Sequence, residues 1–315
     1  MATYLGTHGG KIQDYTTNPD NPIVGQVWYN TTSNALSFRA EGAGTWATGG
    51  DLNTGRELFA GAGTQTAALT FGNPAVTESY NGTNWTEVND LNTGRSTLAG
   101  AGTQAAALAM GGVEASEGIT ELWNGTNWTE VNDMDVGKTK LAGGGTTTSA
   151  IAFGGDATPG IQATTESYNG TNWTEVNDLN AARKSLGGVA ASSTSALAFG
   201  GTPPLFDNTE LWNGTNWTEV NDMNLAKQQM GSAGIATAAL AIGGSGPAGP
   251  STPGVTELWN GTNWVEQNDL NQAGAALGGA GTTAAALGFG RDTPPSAATE
   301  EWTNPALVTK TVDTD

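Results

Sequence analysis

The stretch YNGTNWTEVND, residues 80–90, returns with little change at 123–133, 168–178, 212–222 and 259–269. In every copy an Asn-Gly pair separates two strand-like runs: Asn81-Gly82, Asn124-Gly125, Asn169-Gly170, Asn213-Gly214 and Asn260-Gly261. Both residues tolerate the positive φ that a type I′ turn demands, so the stretch reads as a β-hairpin tip. Asn-Gly-Thr and Asn-Trp-Thr also match the N-glycosylation acceptor pattern. The recurrence of one Asn-Gly in each copy favours the turn.

The tryptophans that follow these turns, with one equivalent upstream, are Trp46, Trp85, Trp128, Trp173, Trp217 and Trp264, at intervals of 39, 43, 45, 44 and 47 residues. A period in this range, built of strand-like pieces, points to propeller blades. Each period reads as four strands: STLAGAG (96–102), AAALAMGG (105–112), TELW (120–123) or TESY (77–80), and NWTEV (84–88). The first two are rich in Ala and Gly and suit the crowded inner end of a blade. Tyr80, Trp123, Tyr168, Trp212, Trp259 and the repeat tryptophans belong to the outer strands, where large side chains fill the space between splaying sheets. Removing a buried Trp costs about 3–5 kcal/mol, so these are core residues first and sugar-stacking surfaces second.

Segments ending ALTFGN, ALAMGG, AIAFGG, ALAFGG, ALAIGG and ALGFGR number six, but only five are followed by a full Asn-Gly-x-Asn-Trp hairpin. The sixth runs to TEEW (299–302) and departs into NPALVTKTVDTD. Its missing fourth strand is GTWATGG (44–50) at the other end of the chain. The expectation is an all-β, six-bladed β-propeller over residues 44–303, closed by an N-terminal strand that completes the last blade and leaves no open edge there. Residues 1–43 form a separate extension and 304–315 a C-terminal tail. A seventh blade from residues 23–50 would lack a Gly-Gly hairpin of its own.

The arrangement resembles the kelch repeat, in which a blade runs from an Arg through a strand ending in Gly-Gly to Glu-x-Tyr and a spaced Trp. Here those positions are Arg95, Gly111-Gly112, Glu121-Leu122-Trp123 and Trp128. The resemblance covers residues 46–302, and the Gly pair is lost in the first repeat (Gly72-Asn73) and the last (Gly290-Arg291).

Basic residues occupy one repeat position, Arg56, Arg95, Lys138, Arg183 and Lys227, with Gly274 in the sixth repeat. A Glu precedes the third-strand aromatic throughout: Glu78, Glu121, Glu166, Glu210, Glu257 and Glu300. Recurrence in every blade is what a structural ion pair would show. The competing reading, an anion site on the axis, lacks its sixth base. Asp51, Asp90, Asp133, Asp178, Asp222 and Asp269 also recur and read as caps of the turn before strand one, since a calcium site needs several converging oxygens.

Length variation is concentrated after strand two: NPAV (73–76), VEASEGI (113–119), DATPGIQAT (156–164), TPPLFDN (202–208), SGPAGPSTPGV (245–255) and RDTPPSAA (291–298). In a four-stranded meander these loops share a face with those after strand four. Loops on a rigid scaffold are where binding resides, so the candidate binding residues are Glu114, Glu117, Asp156, Phe206, Asp207, Arg291 and Asp292, beside the NDLN loops.

Composition bounds the function. With 30 acidic against 11 basic residues the formal charge is −19, which repels nucleic acid and anionic lipid and argues against both as partners. No apolar run approaches the ~20 residues of a membrane span. The chain has no Cys and one His, His8, outside the repeats. The copper-radical chemistry of some kelch-type enzymes needs His, Tyr and Cys and is excluded. The turn also lacks the Ser-x-Asp of the sialidase Asp-box. No unrepeated set of acid, base and nucleophile stands out, so neither catalysis nor a metal or cofactor is expected.

Residues 25–39, GQVWYNTTSNALSFR, differ from the repeats. They resemble a Gly-x-x-Trp-Tyr-Asn-x-Thr segment of bacteriophage virion and tail-fibre proteins, where near-repetitive kelch-like arrays follow. The resemblance implies a particle-surface or tail protein that docks on other virion proteins through residues 1–40 and meets a host-surface glycan or protein. The N-terminus lacks the basic start and apolar run of a signal peptide, which suits release by lysis. The alternative is an extracellular adhesin or lectin-like propeller.

Overall fold

The computed structural model describes residues 12–19, 26–40, 42–113, 118–247, 254–292, 295–304 and 308–312. Among them every regular element is a β-strand. The chain forms two compact units, Thr45–Thr303 and Met1–Gly44 with Asn304–Asp315.

The larger unit contains six four-stranded antiparallel sheets, each with its strands in meander order. Sheet I is Ala60–Thr64, Ala67–Phe71, Thr77–Tyr80 and Trp85–Val88. Sheet II is Ala99–Thr103, Ala106–Met110, Thr120–Trp123 and Trp128–Val131. Sheet III is Ala142–Thr146, Ser149–Phe153, Thr165–Tyr168 and Trp173–Val176. Sheet IV is Gly187–Ser192, Ser195–Phe199, Thr209–Trp212 and Trp217–Val220. Sheet V is Gly231–Ile235, Ala238–Ile242, Thr256–Trp259 and Trp264–Glu266. Sheet VI is Gly278–Gly281, Ala285–Asp292 and Pro295–Thr303, with Thr45–Thr48 as its fourth strand. That strand sets Trp46 opposite Trp302, the register in which Tyr80 faces Trp85 in sheet I.

Burial explains the composition of each strand. The second strands are buried at consecutive residues, so both faces are covered and the apolar run is continuous. The fourth strands bury only their Trp. Each of these tryptophans donates its indole N–H to the Thr one position before the recurrent Glu on the third strand of the preceding sheet. The bonds are Trp85 to Thr299, Trp128 to Thr77, Trp173 to Thr120, Trp217 to Thr165, Trp264 to Thr209 and Trp46 to Thr256, at 2.9–3.1 Å. One residue type thus fills the gap between sheets and satisfies its own polar atom there. The first strands approach backbone to backbone: a Cβ on Gly100 would lie 2.7 Å from the Gly61 carbonyl oxygen, which is why the inner strands carry so little side chain.

The hairpin tip departs from the expected two-residue type I′ turn. Only the glycine is left-handed, at φ +90° for Gly82. The loop holds four residues between the paired Tyr80 and Trp85. Asn81 stays at negative φ and its Oδ1 accepts from the backbone N–H groups of Thr83 (3.0 Å) and Asn84 (2.9 Å). The Asn is retained for its carboxamide, which closes an Asx turn. Asn127 at the next tip accepts in turn from the side chain of Asn89 at 2.8 Å.

The recurrent Asp also serves another strand than expected. Asp90 Oδ1 accepts from the Thr77 N–H and Asp133 Oδ1 from the Thr120 N–H, both at third-strand starts.

The smaller unit is one mixed sheet in the order Gln13–Tyr15, Val27–Asn30, Ala35–Ala40, Val308–Val312, with the first pair parallel and the others antiparallel. Trp28 is fully buried and donates to Asn18 Oδ1 at 3.1 Å, as does the Asn30 side chain. The two terminal segments that the sequence separates therefore share a sheet, and residues 308–312 are a strand within the expected tail. Residues 23–50 do not make one blade: 27–40 belong to this sheet and 45–48 to sheet VI.

Candidate recognition face

The loops that lead into the first strands are held by buried ion pairs. Glu on strand three meets the basic residue of its own repeat: Arg56–Glu78 at 3.0 Å, Arg95–Glu121 at 3.1 Å, Lys138–Glu166 at 3.0 Å, Arg183–Glu210 at 3.0 Å and Lys227–Glu257 at 3.6 Å. The second carboxylate oxygen accepts from the loop residue three positions before the base; Asn92 gives Glu121 both its backbone N–H and its side-chain amide at 2.8 Å. Burial pulls the pKa of Arg95 down and the Glu121 carboxylate pulls it back up. Lys227 follows the same balance and is lowered to about 8.

The sixth repeat, which lacks a base at Gly274, is completed from elsewhere. Arg291, near the end of strand two of sheet VI, pairs with Glu300 at 3.3 Å and is 4% exposed. A Cβ on Gly274 would fall 2.9 Å from the Cβ and Cδ of Arg291. The two departures from the repeat, a lost base at 274 and a lost Gly at 291, are thus one exchange. Arg291, one of the candidate binding residues, is thus buried and engaged by this pair.

With the loops held, the chain enters each first strand through a left-handed residue that is not glycine: Leu58, Thr97, Lys140, Ser185, Gln229 and Ala276, at φ +54° to +57°. These six join in a cycle of backbone hydrogen bonds. Thr97 N–H donates to Leu58 O (2.7 Å), Lys140 to Thr97 (2.8 Å), Ser185 to Lys140 (2.8 Å), Gln229 to Ser185 (2.8 Å), Ala276 to Gln229 (2.7 Å) and Leu58 to Ala276 (3.0 Å). The left-handed turn is what points N–H and C=O to the neighbours on either side. Inside the cycle is a bowl of about 100 Å³, lined by these residues and by Phe59, Leu98, Leu141, Leu186, Met230 and Leu277. A second cavity, about 200 Å³, is lined by the first strands of all six sheets.

The loops after strand two adjoin the same rim, because in four repeats the residue just before the left-handed one bridges to them: Ser96 to Val113, Thr139 to Asp156, Lys184 to Thr202 and Gln228 to Ser245. Asp156 pairs with Lys184 at 2.5 Å and lines a cavity of about 520 Å³ with Asp135 and Thr158. Phe206 is half-buried, with the Arg183 guanidinium 5.9 Å from its ring centre. Asp207 is exposed. Asp292 accepts from the Ala275 N–H at 3.0 Å. Glu114 and Glu117 lie outside the described residues.

Sequence reasoning passed over the left-handed ring. Its signal was present: between the base position (Gly274 in the sixth repeat) and the following Leu, Met or Phe stand two residues that never repeat as a pair, Glu-Leu, Ser-Thr, Thr-Lys, Lys-Ser, Gln-Gln and Ala-Ala. Their position around a common centre is a tertiary fact.

No family model matches the chain, and no curated protein matches it. Among solved structures, that of YjhT superposes with a TM-score of 0.66 over 82% of this chain and 99% of its own, at 13% identity. At that identity the likeness concerns the fold alone. Together with the repeated four-stranded sheets it makes the fold propeller-like.

Proposed function

We propose that the chain is a non-enzymatic structural and recognition protein of a bacteriophage particle, built as a six-bladed kelch-like propeller. Closure of the ring is supported by the pairing of Thr45–Thr48 with sheet VI and by the six-membered backbone cycle. The observation that carries a recognition role is the confinement of diversity to one face. Tryptophans, ion pairs and hairpin tips repeat almost unchanged, while the ring side chains and the adjoining loops differ from sheet to sheet. Such a frame presents a surface without reacting chemistry, and a host-surface glycan or protein is the partner it fits.

The particle assignment rests on the resemblance of residues 25–39, and residues 1–40 are the docking segment toward other virion proteins. Mass spectrometry of density-purified particles tests it. Stoichiometric recovery of this chain is the expected result. Its absence from particles, with recovery from cell surfaces or medium, would replace the particle assignment with an extracellular adhesin or lectin-like propeller.

A further inference from the structure

We propose that the axial bowl binds a compact carboxylate carrying a short apolar substituent, with Lys140 as the residue that recognises the charge; this rests on reading the surrounding face as a recognition surface. The first argument is conformational. Left-handed backbone costs a non-glycine residue about 1 kcal/mol or more, and glycine relieves it. This chain has 47 glycines and sets 21 of the described ones at positive φ, yet none of the six ring positions is Gly. Side chains are kept at the ring against the backbone preference.

The second argument is charge. Eight basic residues lie in Thr45–Thr303. Seven of them sit in ion pairs with carboxylates. The eighth, Lys140, has no acidic partner among the described residues, and no acidic side chain lines the bowl. In a chain of net charge −19, an unpaired ammonium in an acid-free bowl is set for an anion supplied from outside.

The third argument is the order of the ring. Thr97, Lys140, Ser185 and Gln229 follow one another around the cycle, and Ala276 and Leu58 complete it. One arc is polar and holds the cation; the other is apolar. The Ser185 hydroxyl and Gln229 amide have no hydrogen-bond partner among the described residues and follow Lys140 around the cycle. A two-oxygen anion takes one bond from the ammonium and another from a hydroxyl or amide, while its substituent lies toward the apolar arc of Ala276 and Leu58. The size, about 100 Å³, admits the end group of a larger molecule or a small free acid. One cation within a strongly acidic chain suits a monoanion better than a dianion.

The test is saturation-transfer NMR on the full chain with three carboxylates: butyrate as a free acid, N-acetylalanine as a peptide end, and glucuronate as an acidic sugar. Their neutral counterparts, butyramide, N-acetylalanine amide and glucose, serve as controls. The expected result is saturable binding of at least one carboxylate and of no neutral counterpart, the positive arm naming the source. K140Q should weaken that binding by about tenfold or more. K184Q removes a cation of the same face that does not line the bowl and should leave the binding unchanged. Failure of all three acids to saturate, or equal binding by K140Q, overturns the proposal. If the chain binds host cells and no carboxylate saturates, the bowl assignment alone falls. If a carboxylate saturates on a chain found on neither particles nor cells, the bowl stands and the recognition reading falls.

Discussion

The exchange between Gly274 and Arg291 can be reversed by mutation. R291G removes the cation from Glu300, which is 3% exposed and keeps its Oε2 bonds to Asn271 but loses the one base paired with it among the described residues. Stripping one partner from a buried pair costs about 3–5 kcal/mol. For a unit of this size each kcal/mol moves Tm by roughly 2–4 °C, so a drop on the order of ten degrees is expected. G274R alone should also destabilise, because its Cβ would fall 2.9 Å from the Arg291 side chain and a second cation would enter beside one acid. The double variant restores the arrangement of repeats two to five, a base before strand one and a Gly-Gly pair at the end of strand two. It should recover most of the loss, with a coupling of 2 kcal/mol or more, taken as about half the single-partner cost. Urea unfolding of all four proteins, followed by Trp fluorescence, measures this directly. Additive losses in the double variant, or an R291G within about 0.5 kcal/mol of the parent, would refute the exchange.

Asp135 stands where the other five repeats have Asn, and only its backbone N–H reaches Glu166, at 2.6 Å. D135N supplies the missing side-chain donor and removes a like charge, so a gain of about 1 kcal/mol is expected in the same unfolding assay; a loss would contradict the role given to this Asn. G100A forces a Cβ to within 2.7 Å of the Gly61 oxygen and should cost about 1–3 kcal/mol by parting sheets I and II, with a neutral result showing that the inner strands have slack. Lys227 is lowered to about 8 from 10.5 by burial, against the pull of Glu257. A base with a depressed folded pKa adds stability above its unfolded pKa and loses it as pH falls through the folded one. Relative to K227R, the parent should gain on the order of 3 kcal/mol between pH 8 and 10.5 and run parallel below pH 8; parallel profiles across the window would show that Lys227 titrates normally.

How much was legible follows from the range over which each signal acts. Asn81-Gly82 is local chemistry, so its turn was readable, but the choice between a type I′ turn and an Asx-closed loop depended on which Asn group the strands needed. The pairing of Arg95 with Glu121 showed as a shared rhythm over 26 positions. Arg291 was misplaced because it keeps the ion pair while leaving the rhythm, and only space reveals that 274 and 291 compete for one volume. Residues 308–312 gave no periodic signal, and their strand is defined by Ala35–Ala40 from the other end of the chain.

The sequence by itself determined the repeat, the strand count of each repeat and the residues that fill the spaces between sheets. Periodicity and side-chain volume are properties of the chain read in order. Tertiary structure alone decided which residues share a centre. Leu58 and Ala276 are 218 positions apart in sequence, yet they exchange a hydrogen bond of 3.0 Å, because six left-handed turns, each costly alone, satisfy one another's backbone groups when the sheets are assembled.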